Sequence, residues 1–244
     1  MVEPKLPGDI GVNLVAPAPQ SEPLPQPQPE PVPAPQPEAT QWQGDPEPVA
    51  ASPSQIPVLL RVPTDKPVVF LGIDDGLVKS PEAYDWLTSH HLQFTLFLED
   101  DLVRSDYDYF RGLQAAGMTI EDHTISHPDL TTMTLDQQKA EICGAADSFQ
   151  AAFGSRPTLF RPPYGSYNDL TRQAAAECGM KALIIWHAKA NGGAIQFQDG
   201  NTSLLPGDIV LMHFRPEFLQ DMKAFTDQAS AAGLQIGRLE DWIQ

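Results

Sequence analysis

Basic charge is scarce in this chain. Its 244 residues carry 15 lysines and arginines against 32 aspartates and glutamates, for a formal net charge of −17. No basic stripe exists to release counterions from a phosphate backbone, so nucleic acid is excluded as a partner. Long apolar runs are also missing. Nothing approaches the roughly 18 consecutive apolar residues of a membrane span, and Met1 to Gln20 shows no basic stretch followed by an apolar one, so neither a span nor an export signal is visible. No G-x-G-x-x-G follows the first apolar segment, which removes the usual sign of a bound nucleotide. Cysteine is limited to Cys143 and Cys178, on two successive predicted helices. A single disulfide and a pair of buried thiols both fit that spacing.

Proline is abundant instead, and unevenly placed. Most of the 25 prolines precede Leu59, and the stretch PAPQSEPLPQPQPEPVPAP begins at Pro17. Such a segment lacks the apolar residues for a core and favours extended polyproline II structure. Residues 1–57 therefore read as a disordered proline-rich tether and residues 58–244 as the folded domain. A tether of this kind suits display at a cell surface or outside the cell, and the domain is expected to act as a monomer.

From Lys66 onward short apolar runs alternate with longer amphipathic segments, the pattern of repeated βα units. Strands are predicted over 68–73, 94–98, 118–121, 158–160, 182–186, 209–212 and 234–239, and helices over 81–89, 107–116, 135–153, 169–178 and 217–232. Ser80-Pro81 and Asn168 suit helix starts, while Gly117, Gly154, Gly179 and Gly233 suit helix ends. About seven strands are too few for a full eight-fold barrel of about 250 residues. The expected fold is α/β: a distorted, partly open (β/α) barrel, with an open doubly wound sheet as the alternative.

Reactive residues gather after these strands. Asp74 and Asp75 follow the first, His123 and His127 the third, Arg161 the fourth, and His213 the sixth, while Trp186 and His187 stand at the fifth. In βα architectures the carboxyl ends of parallel strands form one face, which carries the site. His123 and His127 are four residues apart, a spacing that suits one side of a helical turn and two ligands of one metal. A capping or solvated role is the alternative. Two histidines and a carboxylate are a recurring ligand set for zinc or ferrous iron. Of two adjacent aspartates, one can bind metal while the other stays free as a base. Glu121 and Asp122 compete for the carboxylate role, but Glu121 belongs to the strand pattern and either can cap the turn. After Arg161, two prolines remove backbone donors, so the Tyr164 N–H is the first one presented by a rigid loop. His213 ends an apolar strand, where it is either a core histidine or an acid–base group. His90 and His91 fit a helix carboxyl terminus, where cations are favoured.

In chain order, IDDG, HTISH, RPPYG and LMH resemble the successive motifs of the polysaccharide deacetylases, the NodB-homology domain of carbohydrate esterase family 4. The resemblance covers about Lys66 to Gln244. It implies removal of acetyl groups, mostly from N-acetylglucosamine of chitin or peptidoglycan and in some members from acetylated xylan. It also implies one divalent metal, zinc by preference with cobalt or another transition metal as alternatives, held by Asp75, His123 and His127. By the same resemblance Asp74 is the base that activates water and Arg161 holds Asp74 by an ion pair that favours its ionised form. The Tyr164 N–H faces the oxyanion, His213 protonates the leaving group, and Trp186 and Tyr164 border the sugar. The family pattern has an aspartate near the strand-end tryptophan that orients the acid histidine. Here IIWHAKANGG offers no carboxylate before Asp199, with His187 or Lys189 near its place, and Arg215 follows His213. A weaker acid, an altered substrate preference, a glycan-binding module without activity, and a hydrolase of another amide or imide all remain compatible with that departure.

Overall fold

The computed structural model describes Met1, residues 38–46 and residues 56–243. The chain divides into two units, Met1–Pro35 and Gln36–Gln244, and the second holds the folded domain. Most of the tether expected over 1–57 lies outside the described residues. Residues 38–46, which the composition places in that tether, pack on the folded body. The Trp42 N–H donates to the Ile236 carbonyl at 2.6 Å, the Ile236 N–H donates to Thr40 at 2.8 Å, and the Trp42 ring tilts against Trp242 at 6.1 Å.

Among the described residues ten strands form one sheet: β1 (Val58–Leu59), β2 (Val68–Asp75), β3 (Thr95–Leu98), β4 (Thr119–Asp122), β5 (Leu159–Phe160), β6 (Ala182–Ile184), β7 (Ala188–Asn191), β8 (Ala194–Phe197), β9 (Ile209–His213) and β10 (Gln235–Gly237). Their order is β1-β6-β5-β4-β3-β2-β9-β7-β8, with β10 beside the first half of β2. Every pairing is parallel except β7 with β8. The path ends at β1 and β8, which do not pair, so the sheet is a curled and open barrel.

Seven of these strands fall on the predicted segments. β1, β7 and β8 do not, and the run expected over 182–186 is cut short. β6 ends at Ile184, whereas Ala188 joins β9 and the chain reverses through Gly192-Gly193. The segment expected over 234–239 also shortens, because Leu239 opens a short helix.

β2 is long and apolar because it is buried on both faces. Val69, Leu71 and Ile73 meet the helices α1 (Pro81–Ser89), α3 (Tyr107–Ala115) and α6 (Phe218–Ala231), α2 being the single turn Asp100–Val103. Val68 and Phe70 face the interior with Phe97, Leu159, Ile184, Ile209 and Trp242. Alternation puts Gly72 and Asp74 on that interior face too. Outside the sheet, α4 (Leu135–Phe153) begins at a Thr134–Gln137 capping box and ends at Gly154 in the left-handed region. Cys143 on α4 is joined by a disulfide to Cys178, the residue after α5 (Asp169–Glu177), with Cα atoms 5.0 Å apart. Of the two readings of the cysteines, the disulfide is the one adopted.

Candidate active site

Two adjacent rows of strand register assemble the site. Asp74 stands opposite His213, Asp75 opposite Leu98, Leu98 opposite Asp122, and Asp122 opposite Phe160. His123 and Arg161 each follow the second of these rows by one residue. Parallel pairing therefore delivers Asp74, Asp75, His123, Arg161 and His213 to the same end of the sheet.

The loop geometry differs from the expected helical turn at His123–His127. No helix forms there. Thr124 (φ 72) and His127 (φ 56) lie in the left-handed region, and this double reversal brings the two rings to 4.8 Å. Side chains hold the reversal: Asp122 accepts from the Thr124 N–H at 2.8 Å and the Thr124 hydroxyl accepts from the His127 N–H at 3.0 Å. Asp75 (φ 70) and Tyr164 (φ 60) are left-handed as well. Four of the five described non-glycine residues with positive φ thus surround the cleft, where such strain persists only if the surroundings fix it.

Three side chains converge as a metal centre would require. His123 Nδ1 donates to the Arg161 carbonyl at 2.6 Å, which leaves Nε2 without a proton. That Nε2 lies 3.6 Å from Asp75 Oδ1, and His127 Nε2 lies 3.9 Å from the same oxygen. Asp75 Oδ1 is buried and has no hydrogen-bond partner. One ligand atom from each residue falls within 4.8 Å of the others. An orphaned carboxylate oxygen facing two imidazole nitrogens fits a divalent cation with open positions for water.

Asp74 sits beside this trio, its Oδ2 at 3.7 Å from His123 Nε2. Its Oδ1 accepts from Arg161 Nη1 at 2.5 Å, with both side chains buried. The guanidinium lies 4.2 Å over the Phe97 ring and donates from Nε to the Ile184 carbonyl at 3.2 Å. Burial raises the Asp74 carboxyl to about 7, and Arg161 offsets only part of that rise. Arg161 thus acts in the expected direction, lowering the Asp74 carboxyl relative to an isolated buried acid, while in the protein alone loss of hydration outweighs the ion pair. Asp75 is raised as well, by burial and then by Asp74.

The remaining residues border a cleft of about 370 Å³ over the trio, among them Tyr164, Trp186, Lys189, Asn191, His213 and Arg215. The Tyr164 ring stands edge-on to His127 at 4.6 Å and its hydroxyl donates to the His127 carbonyl at 3.3 Å. The Gly165 and Ser166 amides turn back to the carbonyls of Pro162 and Pro163. His213 is drawn down to about 3, first by burial and then by Arg215, His123, Arg161 and His127. A lowered pKa is one of the outcomes that the missing orienting acid left open, and burial is its largest cause.

No carboxylate orients His213 among the described residues. Of the two residues near the absent acid's place, Lys189 faces the cleft. His187 turns away, where it meets Asp199 at 2.7 Å, Asp208 at 3.2 Å and Arg61 at 2.9 Å. Glu121 and Asp122 stay outside the site as expected. Glu121 accepts from the Thr158 and Leu159 amides at 2.7 and 2.6 Å, tying β4 to β5. His90 caps α1, has no role in the cleft, and stacks on Trp86 at 4.1 Å. Sequence reasoning missed Asn191 and Gly72. The alternation of buried Ala188 and Ala190 with Lys189 and Asn191 was the available sign for the first, and a glycine inside an apolar strand for the second.

A family model described as polysaccharide deacetylase matches residues 61–183. An uncharacterised protein of Streptomyces coelicolor is 35% identical over 206 residues, covering 82% of this chain and 83% of its own length. Chitin deacetylase 1 of Cryptococcus neoformans var. grubii is 33% identical over 138 residues, 56% of this chain, and the match spans only 29% of that protein. Among solved structures, a family 4 carbohydrate esterase from Streptomyces lividans in complex with acetate superposes with a TM-score of 0.57 at 27% identity, covering 70% of this chain and 90% of its own.

Proposed function

Because this chain belongs to the polysaccharide deacetylase family, we propose that it is a metal-dependent hydrolase that removes acetyl groups from a polysaccharide, with N-acetylglucosamine residues of peptidoglycan or a chitin-like glycan as the substrate. The observation that carries this reading is the Asp74–Arg161 ion pair set beside the Asp75, His123 and His127 trio. Asp75, His123 and His127 would hold the metal, zinc by preference. When bound, such a cation supplies a water of lowered pKa and polarises the acetyl carbonyl.

The chain's own groups divide the remaining work. Water adds to the acetyl carbon and the C–N bond breaks, so one proton must leave the water and one must reach the departing nitrogen. Asp74 takes the first, held in place by Arg161. His213, on the adjacent strand and opposite Asp74, gives the second. Burial, and next to it Arg215, makes its charged form scarce but strongly acidic, a trade between population and driving force. The rigid turn after Pro162-Pro163 directs the Tyr164 N–H toward the oxyanion, and Trp186 offers an apolar face to the sugar.

The Cys143–Cys178 disulfide supports a site of action outside the reducing cytosol, in keeping with a tethered extracellular or cell-surface monomer. The missing partner of His213 favours one other reading, a glycan-binding protein of this fold without turnover. Acetate release from N-acetylglucosamine oligomers, peptidoglycan and acetylated xylan decides between them, using protein stripped of metal and reloaded with zinc or cobalt. Release that disappears and returns with metal is expected. Stoichiometric metal binding with no release on any of the three would favour the binding module.

A further inference from the structure

The cleft holds two cations that make no direct ion pair. The acidic chain pairs most of its few bases: Arg61, Arg104, Arg111, Lys139, Arg156, Arg161, Lys223 and Arg238 all meet carboxylates. Lys79 and Arg172 are used on backbone carbonyls. Among the described residues, only Lys181, Lys189 and Arg215 have neither an ion pair nor a side-chain hydrogen bond. Two of these three, Lys189 and Arg215, border the cleft.

Their placement is fixed by the sheet. Lys189 on β7 pairs in register with Leu211 of β9, two residues before His213, and Arg215 lies two residues after it. The backbone of Arg215 is anchored, since its carbonyl accepts the Phe218 N–H at 3.0 Å as α6 begins. Asp74 and Asp75 feel Arg215 at longer range, but neither forms an ion pair with it. Neutral glycans need no such groups. An exposed lysine and a half-buried arginine, left without a direct ion pair in the cleft of a protein of net charge −17, match a substrate that brings its own negative charge.

We propose that Lys189 and Arg215 form a carboxylate-recognition site, and that the preferred substrate is an acetylated glycan bearing a carboxylate on or next to the sugar that is deacetylated. This rests on the reading of the cleft as a glycan site. Arg215 presents a planar fork that a carboxylate can meet with two hydrogen bonds, whereas Lys189 adds a point charge from the neighbouring strand β7. Asn191, on the same face of β7 as Lys189, adds polar hydrogen-bonding capacity there.

The test is binding, measured by calorimetry on the metal-loaded protein. The probes are a peptidoglycan-derived tetrasaccharide with free lactyl carboxylates, the same tetrasaccharide with those groups converted to amides, an acetylated xylan oligosaccharide carrying glucuronate, and its amide. Acetate release is recorded on the same samples. The acid form of one pair is expected to bind about tenfold more tightly than its amide, the scale of a charge-assisted hydrogen bond. Lys189→Gln and Arg215→Gln should each reduce that ratio toward unity, and added salt should shrink it. The pair that discriminates names the source of the carboxylate. Equal affinity for acid and amide in both pairs, or no measurable binding of either acid, would overturn the proposal even if acetate is released. A clear acid preference without acetate release would uphold it while overturning the deacetylase reading.

Discussion

Arg161 occupies the space that a side chain on Gly72 would fill. A Cβ at Gly72 would lie 2.5 Å from both terminal guanidinium nitrogens, and Gly72 shares the interior face of β2 with Asp74. Gly72→Ala is therefore expected to lever Arg161 off Asp74 and leave two buried charges unpaired, at a cost of about 3–5 kcal/mol. Acetate release should fall by at least about 100-fold, with a lower urea midpoint. Wild-type turnover in Gly72→Ala would show that the ion pair has no part in the reaction.

Asp74 and Asp75 should separate on substitution. Asp75→Ala is expected to lose stoichiometric metal after dialysis, measured by elemental analysis. Asp74→Asn should keep the metal while turnover falls about 10²–10⁴-fold, as for loss of a general base. The opposite pattern would exchange the two roles.

Two acids away from the cleft make stability fall with rising pH. Glu240, whose Oε2 accepts from the Thr95 hydroxyl at 3.1 Å while Oε1 has no partner, is raised from 4.5 to about 7, chiefly by burial. Glu121 is raised too, by burial and then by Glu240. A carboxyl with a raised folded-state pKa binds more protons in the folded than in the unfolded chain between the two values. Its stabilisation is full below 4.5 and is lost as pH climbs through about 7. Glu240→Gln should gain on the wild type between pH 5 and pH 8, by on the order of 1–3 kcal/mol in urea unfolding. An equal difference at both pH values would contradict the assignment.

The Cys143–Cys178 link closes a separation of 35 residues, for which chain entropy suggests about 2–4 kcal/mol. The double variant Cys143→Ala, Cys178→Ala should unfold at correspondingly lower urea while retaining its acetate release at low temperature. An unchanged midpoint would mean that α4 and α5 are held by packing alone.

Much of the fold was legible because buried strands such as β2 announce themselves as apolar runs, and Asp74, Asp75, Arg161 and His213 stand where those runs stop. The hairpin β7–β8 was not, since its exposed residues give it no apolar run and its pairing with β9 is a choice made by the whole sheet. The histidine spacing indicated proximity for the wrong local reason: His123 and His127 meet through two left-handed residues rather than a helical turn. Burial was equally hidden. Nothing in IDDG reveals that Asp74 loses its water, a loss that Arg161 offsets only in part.

Thr124 would pass for a reactive residue in a substitution screen. It is fully buried, its φ is 72, and it borders the histidine pair without offering a group to the cleft. A β-branched residue in that conformation is strained, yet its hydroxyl is needed to hold His127. In a saturation library scored by acetate release, serine should survive best at this position, glycine should lose the acceptor, and valine should lose it while keeping the strain. Tolerance at Thr124 would then be as narrow as at a metal ligand, and a residue with no chemistry of its own would be ranked among those that have it.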